Sequence, residues 1–167
     1  MLETAQANSH IYKKYTLYHS EQEYERLVRT LEFGLTPETK DAHLDFCPQK
    51  YWFDGSTMAQ VAADAFGRPV AVFETCSQHP SPPRFVLPFS PPVENPKPTP
   101  MILHLVGAHY YSLVIKPSIR VEWPSVPHYH QQAWRELEIP AHYKTTWRYL
   151  HIRKPKPTQK IYYPDIH

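Results

Sequence analysis

The stretch Met101 to Lys116, MILHLVGAHYYSLVIK, decides how the rest of the chain is read. Two alternating apolar runs flank Gly107-Ala108, and glycine at the first central position is what a two-residue type II′ turn requires. The run predicts a tight β-hairpin in which Val106 pairs with His109, Leu105 with Tyr110 and His104 with Tyr111. A histidine delivered to the first position after such a turn has a fixed register, which makes His109 a candidate acid/base. Taken alone, the commoner reading of such a histidine is a polar residue closing an ordinary hairpin.

Upstream, Tyr51 to Phe73 reads YWFDGSTMAQVAADAFGRPVAVF. It has an aromatic lead-in, a helix capped by Asp54 or Ser56 with the buried stripe Met58, Val61, Ala62, Ala65 and Phe66, and a stop at Gly67. Val70 to Phe73 then forms a short apolar run of the kind buried on both faces of a sheet. The alanines let the helix lie close on that sheet.

This succession resembles the later part of an OTU-like (ovarian-tumour-type) cysteine protease domain. There, a Trp-led helix start, an Ala-rich helix, a strand entered through proline and a variable loop precede a final hairpin carrying His-Tyr-x-Ser-Val/Leu. The matching residues here are Trp52, the alanines of the helix, Pro69-Val70-Ala71-Val72, and His109-Tyr110-Tyr111-Ser112-Leu113. The resemblance implies an α+β (α/β-like) fold, a small mixed β-sheet flanked by helices, with His109 in the position of the catalytic histidine. It further implies an imidazole beside the Ala-lined helix, an ancestral thiol-dependent hydrolysis of the isopeptide bond after a ubiquitin C-terminus, and ubiquitin or a ubiquitin-like protein as partner. No cofactor is implied.

In that family the nucleophile lies in an Asp-Gly-x-Cys motif at a helix start, where the helix dipole and the histidine lower its pKa. No such motif occurs in this sequence, and the matched region corresponds to the part of the family domain after it. The expectation is a truncated or degenerate member that lacks turnover and keeps a binding role. Asp54-Gly55-Ser56-Thr57 imitates the motif with Thr57 in the cysteine's place. A threonine hydroxyl without an activating amine is a poor nucleophile, and the spacing to His109 is about half of what the family uses. Cys47 and Cys76 match no family position and read as ordinary small residues. Where many members carry Asn or Asp two residues after the histidine, this chain has Tyr111. Tyr111, with His104 opposite it, is the candidate for orienting the imidazole, although a neutral phenol stabilises an imidazolium less than a carboxylate does.

The 167 residues, 41% of them apolar, suffice for one domain with a core. We expect an OTU-like domain over 1–123, N-terminally incomplete, and a Pro-rich, basic and aromatic extension over 124–167, packed on it or trailing from it. A net charge of +2 excludes a uniformly basic nucleic-acid-binding surface. Two widely separated cysteines suggest neither a disulfide framework nor a zinc knuckle, so a reducing intracellular setting, cytoplasmic or nuclear, is expected. The N-terminus has no signal-peptide pattern, and apolar runs of strand length exclude a membrane span, leaving a soluble protein.

The 19 prolines concentrate between Pro80 and Pro100 and again after Pro117. The first cluster cannot be helical and reads as a surface loop, interrupted by a short strand over Arg84 to Leu87. Residues 1–15 have weak helical character, with Leu2, Ala5 and Ile11 on one side. Ser20-Glu21-Gln22-Glu23 is a capping box, followed by Tyr24, Leu27, Val28 and Leu31 on one buried helix face, with Gly34 closing it. Residues 35–50 read as connection. A strand over Ile119 to Trp123 and an amphipathic piece around Gln131 to Leu137 complete the pass.

Histidine pairs and the basic tail bear on two further chemistries. His128-Tyr129-His130 would put two imidazoles on one strand face, and His104 and His109 share another, but no third metal ligand stands at a recognised spacing. In the tail, Lys144, Trp147, Arg148, Tyr149, His151, Arg153, Lys154, Lys156 and Lys160 interleave basic and aromatic residues, the pattern of a single-stranded nucleic-acid surface. A non-catalytic, nucleic-acid-linked interaction module is thus the alternative; a solvated basic tail accounts for the same residues.

Overall fold

The computed structural model describes residues 1–15, 20–33, 35, 48–55, 57–75, 83–89, 99–116, 123–124, 126 and 128–137. The elements in order are α1 (Leu2–Ala7), α2 (Ser9–Tyr15), α3 (Glu21–Glu32), a 3₁₀ turn (Gln49–Tyr51), α4 (Met58–Phe66), β1 (Val70–Glu74), β2 (Arg84–Val86), β3 (Met101–Val106), β4 (His109–Ser112) and α5 (His128–Glu136). This is an α+β arrangement with one mixed four-stranded sheet.

The sheet order is β2-β1-β3-β4. β1 runs antiparallel to β2 and parallel to β3, so the two inner strands are the apolar ones. The hairpin β3–β4 has the register read from its sequence: Val106 opposite His109, Leu105 opposite Tyr110, His104 opposite Tyr111. Gly107 has φ 61°, the positive value that the first central residue of a primed turn needs.

Strand alternation gives the sheet two packed faces, and a third cluster around Tyr12, Leu27 and Val61 is built by the helices. On one face Val70, Val72, Val86, Met101, Leu103 and Tyr110 meet Ala59, Ala62 and Ala63 of α4. On the other, Ala71, Phe85, Leu87 and Ile102 meet Phe73, Ile115, Trp123, Val126 and Leu137. Burying a leucine or phenylalanine such as Leu87 or Phe85 contributes about 1.5–3 kcal/mol.

α4 ends as expected, with Gly67 in the left-handed conformation (φ 58°, ψ 29°). Its start differs. The N-cap is Thr57, with no side-chain cap bond, while the carbonyl of Asp54 accepts the amides of Thr57 and Met58. The capping turn thus uses Asp54 through its backbone; Ser56 lies outside the described residues.

α3 follows its sequence closely. The Ser20 hydroxyl accepts the Glu23 amide at 3.2 Å, and Tyr24 and Leu27 are buried. The N-terminal segment is better built than its weak periodicity predicts. It forms two helices that bury Ala5, Tyr12 and Tyr15, with Ile11 partly buried against the same cluster, so the inward face carries tyrosines as well as Ile11. Those tyrosines are anchored by polar tips: Tyr12 donates to Asp64 at 2.9 Å, and Tyr15 donates to Glu136, which also pairs with Lys14. The neighbouring Lys14 and Tyr15 hold the Glu136 carboxyl down to about 2.

His128-Tyr129-His130 is the first turn of α5, not a strand, and its two imidazoles part: His128 is exposed and His130 fully buried. Ala133 of α5 is buried in the same cluster as residues of α1–α4, and Leu137 packs against that cluster. Of the strand expected over 119–123, only Trp123 is described, and it packs against Phe85. Gly34, Cys47, Cys76, most of the Pro-rich loop, and the basic aromatic residues from Lys144 to Lys160 lie outside the described residues. No described helix is long and apolar enough to cross a membrane.

Candidate functional site

The segment Trp52-Phe53-Asp54-Gly55 connects the 3₁₀ turn to α4 and is fixed from both sides. On one side the Thr57 hydroxyl donates to Asp54 Oδ2 at 2.9 Å, tightening the turn. On the other, the Gly55 amide donates to the Tyr110 hydroxyl oxygen at 2.9 Å, while Phe53 meets the Tyr110 ring edge-on at 5.3 Å between centroids. A Cβ on Gly55 would lie 2.6 Å from that hydroxyl and 3.2 Å from Val72 Cγ1. Gly55 is therefore required for close approach, not for an unusual φ. Burial raises the Tyr110 pKa, only partly opposed by the Gly55 amide, so the phenol stays neutral.

Between this segment, α3 and the hairpin turn lies an open groove of about 500 Å³. Leu27, Phe53, Met58, Leu105 and Tyr110 make its apolar floor, and Arg26, Lys50, Glu23 and Asp54 bring both signs of charge to its walls. Trp52 also lines it, and the Trp52 indole lies near His109, with ring centroids 6.4 Å apart and the planes tilted by 34°.

Strand register puts His109 on the same sheet face as His104 and Tyr111, opposite the face where Tyr110 meets the α4 alanines. The imidazole is thus exposed at the sheet end beside Trp52, and not beside the Ala-lined helix as the resemblance implied; Tyr110 takes that place. Tyr111, at 54% exposure, stands opposite His104 as expected, while His104 Nε2 lies 3.0 Å from Thr75 Oγ1. Among the described residues no hydrogen bond joins His109 to Tyr111. Nor do three His, Cys, Asp or Glu side chains come together there as a metal site.

Three contributors carry no functional signal in the sequence. Arg26 reads only as the solvated side of α3, and Lys50 only as connection. Tyr110 reads as the residue between two candidates. The signal available for Tyr110 was period-two alternation, which sends it to the face opposite His109. For Arg26 and Lys50 there was none, because their meeting depends on how α3 is set against the hairpin.

No protein-family model, no curated protein and no solved structure matches this chain.

Proposed function

We propose that this chain is a non-hydrolysing binding domain related to the OTU-like cysteine proteases, and that its groove holds the C-terminal tail of ubiquitin or a ubiquitin-like protein. The observation that carries this reading is Trp52, whose indole is shared between the groove and His109. Trp52 and His109, two residues of the resemblance far apart in the sequence, thereby meet at one end of the sheet.

An open trough with an apolar floor, two cations and two carboxylates suits an extended peptide better than a small enclosed ligand. Arg26 and Lys50 offer charge to a terminal carboxylate, and the Tyr110 hydroxyl, already accepting from Gly55, retains its own proton for a peptide carbonyl. Turnover is not part of the proposal. The sequence has no Asp-Gly-x-Cys, and the Thr57 hydroxyl is engaged with Asp54. Loss of a protease nucleophile alone costs on the order of a million-fold in rate.

The test is calorimetric titration with intact ubiquitin and with ubiquitin lacking its C-terminal tail, alongside a ubiquitin probe carrying a C-terminal electrophile. Binding that depends on the tail, with no covalent adduct, is expected. Failure of intact ubiquitin to bind, or equal binding of both forms, removes the tail-in-groove reading. An adduct on Cys47 or Cys76 that disappears in His109→Ala removes the non-hydrolysing one.

A further inference from the structure

The outer edge of β4 is unpaired among the described residues, β4 being the last strand in the sheet order. It also lacks the usual protections of an edge. In a chain with 19 prolines and 34 formally charged Lys, Arg, Asp and Glu residues (18 plus 16), the run Met101 to Ile115 contains neither a proline nor one of those charges. Just where the edge is open, large apolar side chains face solvent: Tyr111 at 54%, Leu113 at 42% and Val114 at 94% exposure.

The hairpin register says which backbone groups are on offer. Leu113 donates its amide to Ile102 at 2.9 Å, continuing the β3–β4 ladder beyond Ser112. In an antiparallel pair the inward-bonded residues alternate, so His109, Tyr111 and Leu113 spend their amides and carbonyls on β3, while Tyr110, Ser112 and Val114 present theirs outward.

From this edge we propose that the protein self-associates through β4, two copies pairing antiparallel about a two-fold axis at Ser112 to give a continuous eight-stranded sheet. That centre sets Ser112 opposite Ser112, Tyr110 opposite Val114 of the second copy, and Tyr111 opposite Leu113 of the second copy. Every large apolar side chain exposed on the segment then gains an apolar cross-strand neighbour, and a small residue occupies the dyad. Centring the axis on Tyr110 would run each strand into the other's turn at Gly107-Ala108. Centring it on Val114 would oppose Ser112 to Lys116 and meet Pro117. The uncharged edge lets identical copies approach without repulsion, and a two-fold contact closes on itself rather than growing a fibre. A pairing confined to one edge is small by the standard of permanent dimers, so it is reversible and concentration-dependent. It shares Tyr110 with the groove beside Trp52, through the backbone here and through the side chain there.

Sedimentation equilibrium of the full chain over a broad dilution series tests the proposal. The mass is expected to rise from one chain toward two with concentration. Val114→Lys alters a side chain that is almost wholly exposed, and Ser112→Pro removes an amide that points away from β3; both are expected to stay monomeric with an unchanged circular dichroism spectrum. Should Ser112→Pro misfold, Val114→Lys alone decides. A wild-type chain that stays monomeric at all concentrations overturns the proposal, as does dimerisation of Val114→Lys equal to that of the wild type. So does slow hydrogen exchange at the amides of Tyr110, Ser112 and Val114 in the monomer, which would mean that the chain covers its own edge.

Discussion

The Gly55 amide donates to the Tyr110 hydroxyl oxygen at 2.9 Å, tying the turn before α4 to the second strand of the hairpin. Gly55→Ala drives a methyl to 2.6 Å from that oxygen, and overpacking of this kind costs about 1–3 kcal/mol. Tyr110→Phe loses the bond for about 1 kcal/mol and removes the closest obstacle. Denaturant melts of the two single variants and the double variant should show the Gly55→Ala penalty shrinking in the Tyr110→Phe background. Strict additivity would mean that the two residues are not coupled.

Gly107 makes the opposite case. It has φ 61° and nothing within 4 Å of where its Cβ would be, so any cost of substitution is conformational and not steric. Gly107→Ala should lose about 1–2 kcal/mol, and Gly107→Asn clearly less, since asparagine tolerates the left-handed region. Equal melting temperatures for the two variants would show that the turn relaxes to another form.

His130 is fully buried, and burial pushes its pKa from 6.5 down to about 3, so the ring is neutral in the fold and its Nε2 accepts the Leu87 amide at 3.3 Å. The unfolded chain takes up a proton below about pH 6.5 while the native state does not, so this residue lowers stability as pH falls from 6.5 toward 3. The slope approaches about 1.4 kcal/mol per pH unit. His130→Gln keeps a hydrogen-bond acceptor and cannot titrate. Urea melts between pH 7 and 4, compared across the two proteins, should give a shallower acid loss for the variant; parallel curves would mean that His130 is solvated.

Asp64 joins three parts of the molecule. Its carboxylate accepts from the Tyr12 hydroxyl at 2.9 Å, from Gln60 Nε2 at 3.1 Å and from the Phe89 amide at 2.5 Å. Asp64→Asn turns one acceptor into a donor facing donors, which should cost about 1–3 kcal/mol, against about 1 kcal/mol for Tyr12→Phe. Thermal melts that rank Tyr12→Phe as the worse of the two would contradict this network.

Trp52 tests the proposed ubiquitin role. With 36% of its surface exposed it is partly buried, so Trp52→Ala should lower the melting temperature, and binding is compared where both proteins are folded. Truncating an aromatic anchor at an interface costs about 2 kcal/mol or more, which is roughly a thirtyfold loss of ubiquitin affinity. Undiminished binding would move the contact surface elsewhere.

What the residues dictated by themselves is local. The hairpin register follows from alternation on either side of Gly107, the start of α3 from a serine placed three residues before a glutamate, and the end of α4 from Gly67, because each depends on groups within a few bonds or one turn of one another. The α+β class, which the resemblance implied, is the class of the structure. Tertiary packing decided the rest. The segment His128-Tyr129-His130 has the alternation of a strand yet folds as helix, since its burial comes from Phe89 and Leu87, which the chain's own period does not report. The groove is of the same kind: Arg26, Lys50, Trp52 and Tyr110 share it only because α3 and the hairpin are brought together by a core that no single segment encodes. The side of the sheet on which His109 emerges follows the same logic. Alternation fixes that it lies opposite Tyr110, but which of the two meets α4 is settled by where the Ala59, Ala62 and Ala63 surface comes to rest.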